Sequence, residues 1–224
     1  MKQLSNFNFY ELPWRHVIID DFLLPIHYKE LLDIVRGLDV SNSEILTLSS
    51  REDQLLDELT FIPPDLFAQF VQVYVPTALH VLTQLAPAKT KFFEQAQFQV
   101  AITGPEASYR VHEDAVCKLL SGVIYLDPTE SSGTFLHRKK GDSLGHEVVW
   151  KPNRAIFFSR KSNISWHSYR GDGKTRRITL VFNLIANDLN REQILRTEFS
   201  SYPSYMLDRF LRYRAARLNN SLSD

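Results

Sequence analysis

The chain has 224 residues, with 44% hydrophobic, 12% aromatic and 23% charged side chains. That suits one well-buried core and excludes fibrous, disordered and disulfide-rich classes. A single cysteine, Cys117, excludes an intrachain disulfide framework and a multi-cysteine zinc or iron–sulfur site, and it fits a reducing compartment. Net charge is zero, yet residues 1–112 carry 8 basic and 14 acidic side chains whereas residues 113–224 carry 18 and 12; a positively lined cavity there would favour an anionic small molecule or carrier, and basic solvated faces account for the excess equally well. The opening stretch MKQLSNFNFYELPW lacks the apolar core of a signal peptide, and no run approaches the roughly 18 apolar residues of a membrane helix. The expected setting is the cytosol, with no membrane partner. No block of like charge points to nucleic acid.

In chain order, His16–Phe22 reads as a strand, and Pro25 opens a helix reaching about Leu38, with Leu31, Leu32, Val35 and Leu38 on one face. Ser41–Ser50 reads as a loop and Arg51–Leu59 as a short helix. Pro63-Pro64-Asp65 starts a helix to about Leu85, capped by Asp65, which Pro76 should kink or break. After Pro87 the texture changes to alternating strands. Phe98, Val100 and Ile102 mark the first. Cys117–Leu126, Thr134–Arg138, Glu147–Trp150, Ala155–Phe158, Ile164–Tyr169 and Arg176–Leu184 follow, separated by turn-rich connections. From Asn190 to about Asn219 the pattern is helical. Helices, then many short strands, then a helix read as α+β, with the strands in a barrel or double-sheet jelly roll braced by helices. The chain reads as one domain over 1–224: a helical part to about 90, a strand core over about 95–187 and a helical tail over about 190–219.

His112-Glu113-Asp114, followed 55 residues later by His167, carries the chemistry. Two histidines and one carboxylate form the facial triad of non-haem Fe(II) sites and leave up to three octahedral positions open. On extended backbone His112 and Asp114 point to one side and Glu113 to the other. A lone His-x-Asp is weak by itself. His137 and His146 lie between the two halves of the motif, in a basic, loop-like segment better suited to solvent than to a metal. The strand Arg176–Phe182 places Arg177, Thr179 and Val181 on one face. A buried Arg177 would require a carboxylate, which a guanidinium fork meets bidentately, with the Thr179 hydroxyl as a second donor. Arg176 takes that role if the register slips by one residue, and both arginines can instead reach solvent at a strand end.

Together these segments resemble the 2-oxoglutarate- and Fe(II)-dependent oxygenases, particularly the prolyl-4-hydroxylase-like branch. Tyr109-Arg-Val-His112-Glu-Asp114 resembles the strand and turn carrying that branch's His-x-Asp. Leu120–Pro128 is similar to its tyrosine–leucine strand, and Ser132-Gly133-Thr134 to its glycine turn. Trp150–Phe158 resembles the Pro-x-Gly-Arg segment, with Asn153 in place of glycine, a residue that tolerates positive φ. Trp166-His167-Ser and Arg177-Ile-Thr179 complete the likeness, and Val17–Pro25 is similar to the opening strand and helix. The resemblance implies a double-stranded β-helix (jelly roll, cupin-like) core braced by N-terminal helices and a C-terminal helix. It implies metal ligands His112, Asp114 and His167, and cosubstrate contacts Arg177, Tyr125, Thr179 and Tyr109.

It further implies Fe(II), 2-oxoglutarate as cosubstrate and O2, with hydroxylation of a C–H bond and release of succinate and CO2. Related halogenases lack the carboxylate that Asp114 supplies, so halogenation is not expected. The substrate is left open as a small molecule, a peptide or a carrier-linked group, anionic ones included. The basic C-terminal helix, with Arg209, Arg212, Arg214 and Arg217, is expected to pack on the chain's own core, with a homodimer or carrier docking as other uses. Two alternatives stand beside this reading: a non-catalytic jelly-roll binding module, and a non-haem iron dioxygenase that does not use 2-oxoglutarate.

Overall fold

A computed structural model describes residues 7–38, 40–42, 44–51 and 62–220. Its strands form two antiparallel sheets. A seven-stranded sheet runs β1 (Asn8–Tyr10), β2 (His16–Ile19), β9 (Ala155–Phe158), β6 (Lys118–Asp127), β11 (Arg177–Ile185), β4 (Gln95–Thr103) and β3 (Ile45–Arg51). A four-stranded sheet runs β5 (Ser108–His112), β10 (Trp166–Arg170), β7 (Thr134–His137) and β8 (His146–Val148). With the helices this is an α+β fold. The N-terminal part supplies strands as well as helices, and those strands form both edges of the larger sheet.

Period-2 alternation decides what each face of the larger sheet does. Ile178, Leu180 and Phe182 join Phe98, Val100 and Ile102 in the main core, where the Phe98 and Phe182 rings stack at 4.4 Å. Helix α1 (Pro25–Val35) and helix α2 (Pro64–Leu85) cover this face, through Leu31, Leu32 and Val35 on one and Phe67, Phe70 and Tyr74 on the other. The opposite face turns Arg177, Thr179 and Val181 into a cavity shared with the smaller sheet. The predicted alternation of that strand is therefore correct, and Arg177 is the inward arginine. Arg176 instead spends its guanidinium on the carbonyl of Leu38 and, at 3.4 Å, on that of Arg36.

Several expectations are corrected. Of the loop expected over Ser41–Ser50, only the described part before Ile45 is irregular: Ile45–Arg51 pairs with β4, Leu46 opposite Ile102 and Leu48 opposite Val100, so sheet pairing overrides a polar-looking sequence. Of the short helix expected over Arg51–Leu59, Arg51 instead ends β3, and residues 52–59 lie outside the described residues. Asp65 makes no capping bond, because Pro63 is the N-cap and Asp65 sits in the first turn. Helix α2 continues through Pro76. Gln72 and Pro76 both face solvent, so the carbonyl left without its i+4 partner meets water. By length and hydropathy α2 could cross a membrane, but it buries eight side chains in the core. The C-terminal helical region is split into α3 (Arg191–Thr197) and α4 (Tyr202–Asn220). Among the described side chains of α4 only Tyr205 is buried, while Met206, Leu207, Phe210 and Leu211 are exposed, so over Tyr202–Leu211 the helix does not show the apolar packing on the core that was expected.

Asn153 adopts φ 61°, as its place in a glycine position suggested. Its side chain also accepts from the Leu23 amide at 2.8 Å and donates to the Leu23 carbonyl at 2.9 Å, tying the β8–β9 turn to the N-terminal segment. Asn153→Gly keeps the backbone but forfeits both bonds. We expect it to cost about 1–2 kcal/mol, and Asn153→Ala about 1 kcal/mol more, because alanine also meets the left-handed penalty. Urea denaturation of the three proteins checks that order.

Candidate metal and oxo-acid site

Antiparallel pairing of β5 with β10 sets His112 directly opposite His167, with their rings 4.3 Å apart. Asp114 follows on the turn after β5. Its Oδ2 lies 3.9 Å from His167 Nε2, and one donor atom from each of the three residues falls within 4.8 Å of the others. The Nδ1 atoms of His112 and His167 lie 2.8 and 3.1 Å from the carbonyls of Arg110 and Ser165. A carbonyl only accepts, so each Nδ1 carries the proton and each Nε2 keeps its lone pair. Burial, the largest influence on His167, pushes its pKa down and favours the neutral imidazole that a metal needs.

Burial alone would raise the pKa of Asp114. Attraction to His167 and Lys118, and a hydrogen bond from Ser121, outweigh it and hold the carboxyl at about 2. The His167 share of that pull needs a charged imidazole, which its own burial opposes. Lys118 and Ser121 are the firmer cause, donating to the two carboxylate oxygens at 3.1 and 2.6 Å. Two neutral nitrogens and an ionised carboxylate fit the preference of Fe(II) for imidazole and carboxylate ligands.

Beside the triad lies a cavity of about 280 Å³, walled by both sheets. Arg177 lines it at 4% exposure. Its Cζ lies 3.9 Å from the centroid of the Tyr169 ring, with Tyr125 and Trp150 at 5.5 and 5.4 Å. The aromatic faces hold the cation, but among the described residues Nε and Nη1 have no hydrogen-bond acceptor of normal geometry. Thr179 lines the same cavity and is buried, with Oγ1 3.5 Å from the Ala101 carbonyl. Tyr109 also lines it, 48% exposed, at the mouth.

Tyr125 is placed differently. Its hydroxyl donates to the Val148 carbonyl at 3.1 Å and accepts from the Thr134 amide at 2.9 Å. It lies behind the cavity wall, stacked on Trp150 at 4.5 Å, rather than on the lining. A phenol whose only proton is on a backbone carbonyl has none left for a carboxylate.

His137 and His146 stay out of the triad. His146 is exposed, but His137 is buried, with Nε2 2.7 Å from Ser168 Oγ. That corrects the solvent setting expected for it.

Four residues of the site were not anticipated. Lys118 and Ser121 grip Asp114, and period-2 spacing from Val123 could have flagged Ser121. Tyr169 lies two residues after His167 on one strand, a spacing that itself marks the inward face. The fourth is Arg160, which is buried. Its Nε donates to the Asp114 carbonyl at 2.9 Å and its Nη1 to both oxygens of Glu198 at 2.7 and 2.6 Å. Lys89 joins Glu198 at 2.8 Å, and the amide and hydroxyl of Ser162 complete the shell at 2.8 and 2.6 Å. Glu113, predicted to point away from the metal, lies 3.6 Å from Arg160.

No protein-family model and no curated protein sequence matches the chain. Solved structures do. A prolyl-4-hydroxylase of Pseudomonas putida aligns with a TM-score of 0.54 at 16% identity, over 77% of this chain and 92% of that one. The viral collagen prolyl hydroxylase of Paramecium bursaria Chlorella virus-1, solved with 2-oxoglutarate, gives 0.50 at 17% identity, over 77% and 96%. A Trichoplax adhaerens prolyl hydroxylase bound to a hypoxia-inducible-factor peptide fragment gives 0.50 at 14% identity, over 83% and 87%. The chain thus shares the fold of these prolyl hydroxylases.

Proposed function

We propose that the protein is an Fe(II)- and 2-oxoglutarate-dependent dioxygenase that hydroxylates a C–H bond of a small-molecule, peptide or carrier-linked substrate, and that its two sheets are the double-stranded β-helix of that class. When bound, iron and the oxo acid supply the oxidation, with succinate and CO2 as products. His112, Asp114 and His167 would hold the metal. The observation that carries the reading is Arg177: a guanidinium buried beside the triad, with two nitrogens lacking acceptors, fits an acidic ligand in the same cavity. An iron dioxygenase with no acidic cosubstrate would not need it, and neither would a binding module of another specificity. The cytosol remains the proposed setting, on the strength of the single thiol.

The test is Fe(II)-dependent conversion of 2-oxoglutarate to succinate by the purified protein, followed with and without candidate substrates. His112→Ala, Asp114→Ala and His167→Ala should each abolish turnover and bound metal. Turnover at the wild-type rate in any one of them would remove the assignment.

A further inference from the structure

The cavity holds a second buried donor whose proton has no acceptor of normal geometry among the described residues. Tyr169 is 6% exposed and lines the cavity, and among the described residues its hydroxyl has no partner of normal hydrogen-bond geometry, with a looser contact to Arg177. The Arg177 guanidinium lies against its ring. An unmet phenol in a buried position carries a desolvation cost comparable to that of a lost hydrogen bond, so its persistence beside an unmet guanidinium points to one ligand for both. That ligand is an acceptor. Arg177 offers only donors, so a neutral carbonyl would serve the phenol but leave the cation uncompensated, whereas a carboxylate satisfies both.

The tyrosine that the family resemblance nominated, Tyr125, cannot share this role in the observed arrangement, because its proton is on Val148. Tyr125 instead acts from behind, as a ring stacked with Trp150 beneath the guanidinium.

We infer that Tyr169, and not Tyr125, donates the second hydrogen bond to the distal carboxylate of the oxo-acid cosubstrate, which makes it a specificity-determining residue for dicarboxylic over monocarboxylic oxo acids. The inference rests on the proposed oxo-acid chemistry and adds a residue to it. Its strand position follows from local sequence: His167 and Tyr169 are two apart on β10, so one inward face presents a metal ligand and a carboxylate donor together.

Calorimetric titration of 2-oxoglutarate into full-length protein loaded with Mn(II) under anaerobic conditions reads this without turnover. Tyr169→Phe should weaken binding about tenfold, the usual worth of one hydrogen bond to a charged group. Tyr125→Phe should stay within about twofold of wild type. Pyruvate, which lacks the distal carboxylate, serves as the second ligand, and its weak affinity should be the same for wild type and Tyr169→Phe. Mn(II) affinity and thermal unfolding of the unliganded variants, measured alongside, separate misfolding from a lost contact.

Wild-type protein that binds Mn(II) but not 2-oxoglutarate would overturn the cosubstrate reading itself. Wild-type binding with an undiminished Tyr169→Phe would overturn only the role of Tyr169. So would a loss confined to Tyr125→Phe, or an equal loss for pyruvate and 2-oxoglutarate.

Discussion

Arg177→Met should make the ligand-free protein more stable and the liganded protein far less so. Arg177 is the most costly side chain in the cavity: it is buried, and two of its nitrogens lack acceptors. Burial, the largest influence on it, pushes its pKa down from the ordinary arginine value, although a guanidinium stays charged at any pH a folded protein sees. Three aromatic faces recover part of the cost, about 2 kcal/mol for a desolvated cation–π contact. Replacing buried charges by apolar side chains of similar volume is commonly neutral, or stabilising by about 1–4 kcal/mol. The expected net gain here is about 1–2 kcal/mol in chemical denaturation of the apo protein.

Affinity for 2-oxoglutarate should fall by at least about 100-fold, since truncating one partner of a buried ionic contact costs about 2–5 kcal/mol. The stability gain that ligand confers by binding the native state should therefore vanish. Wild type then shows a 2-oxoglutarate-dependent rise in Tm from a lower start, and Arg177→Met a higher, ligand-independent Tm. A variant less stable than wild type without ligand would show that the aromatic contacts outweigh the desolvation. A variant that keeps its affinity would dissociate Arg177 from the cosubstrate.

The elements that patterns can encode were legible. β9 occupies Ala155–Phe158 as predicted, and β6, β7 and β11 lie within a residue or so of their predicted ends, because each is an apolar run between turn residues. The triad was legible for a different reason: His-x-Asp spacing encodes one face of an extended chain, and the second histidine sits opposite the first in the β5–β10 pair. The edge strands of the larger sheet, β1 and β3, were not legible. β3 carries a threonine and two serines in seven residues, and only its partner β4 makes it a strand. Nor was the fate of Tyr125. The sequence places that tyrosine correctly in the fold, but its hydroxyl is claimed by Val148 and Thr134, each reached only through tertiary packing. Hydrogen-bond competition of that kind leaves no trace in spacing. The Lys89–Glu198–Arg160 cluster was invisible for a similar cause, since its members lie 109 and 38 residues apart.

That cluster anchors the segment carrying Asp114 to the C-terminal region, and Glu198→Gln should release it. Three cationic or neutral donors (Lys89, Arg160 and Ser162) converge on one carboxylate whose side chain is 1% exposed. Burial would push the pKa of Glu198 up, but Lys89 and Arg160 beside it bring it below the ordinary glutamate value. Burial likewise pulls Lys89 down. Contacts of 2.8 and 2.6 Å with a carboxylate favour the ionic form of the cluster.

Removing the negative charge takes the carboxylate from Lys89 and leaves Arg160 with the longer Glu113 contact, a loss of about 3 kcal/mol at neutral pH. The pH dependence has a definite sign. A carboxyl with a depressed folded-state pKa stabilises above its unfolded value, 4.5 for this residue, and loses that contribution as pH falls through the folded value. Wild type should therefore shed stability below about pH 4.5 more steeply than Glu198→Gln, and the two urea curves should converge in acid.

The same substitution should reach the candidate metal triad, because Arg160 holds the carbonyl of Asp114 at 2.9 Å. Loosening that bond should weaken Mn(II) binding about 10- to 100-fold without touching a ligand, as loss of outer contacts does in metal sites. If metal affinity is unchanged while stability falls, the cluster is only a clamp on α3 and α4. If both fall, the C-terminal segment helps to set the geometry in which His112, Asp114 and His167 converge.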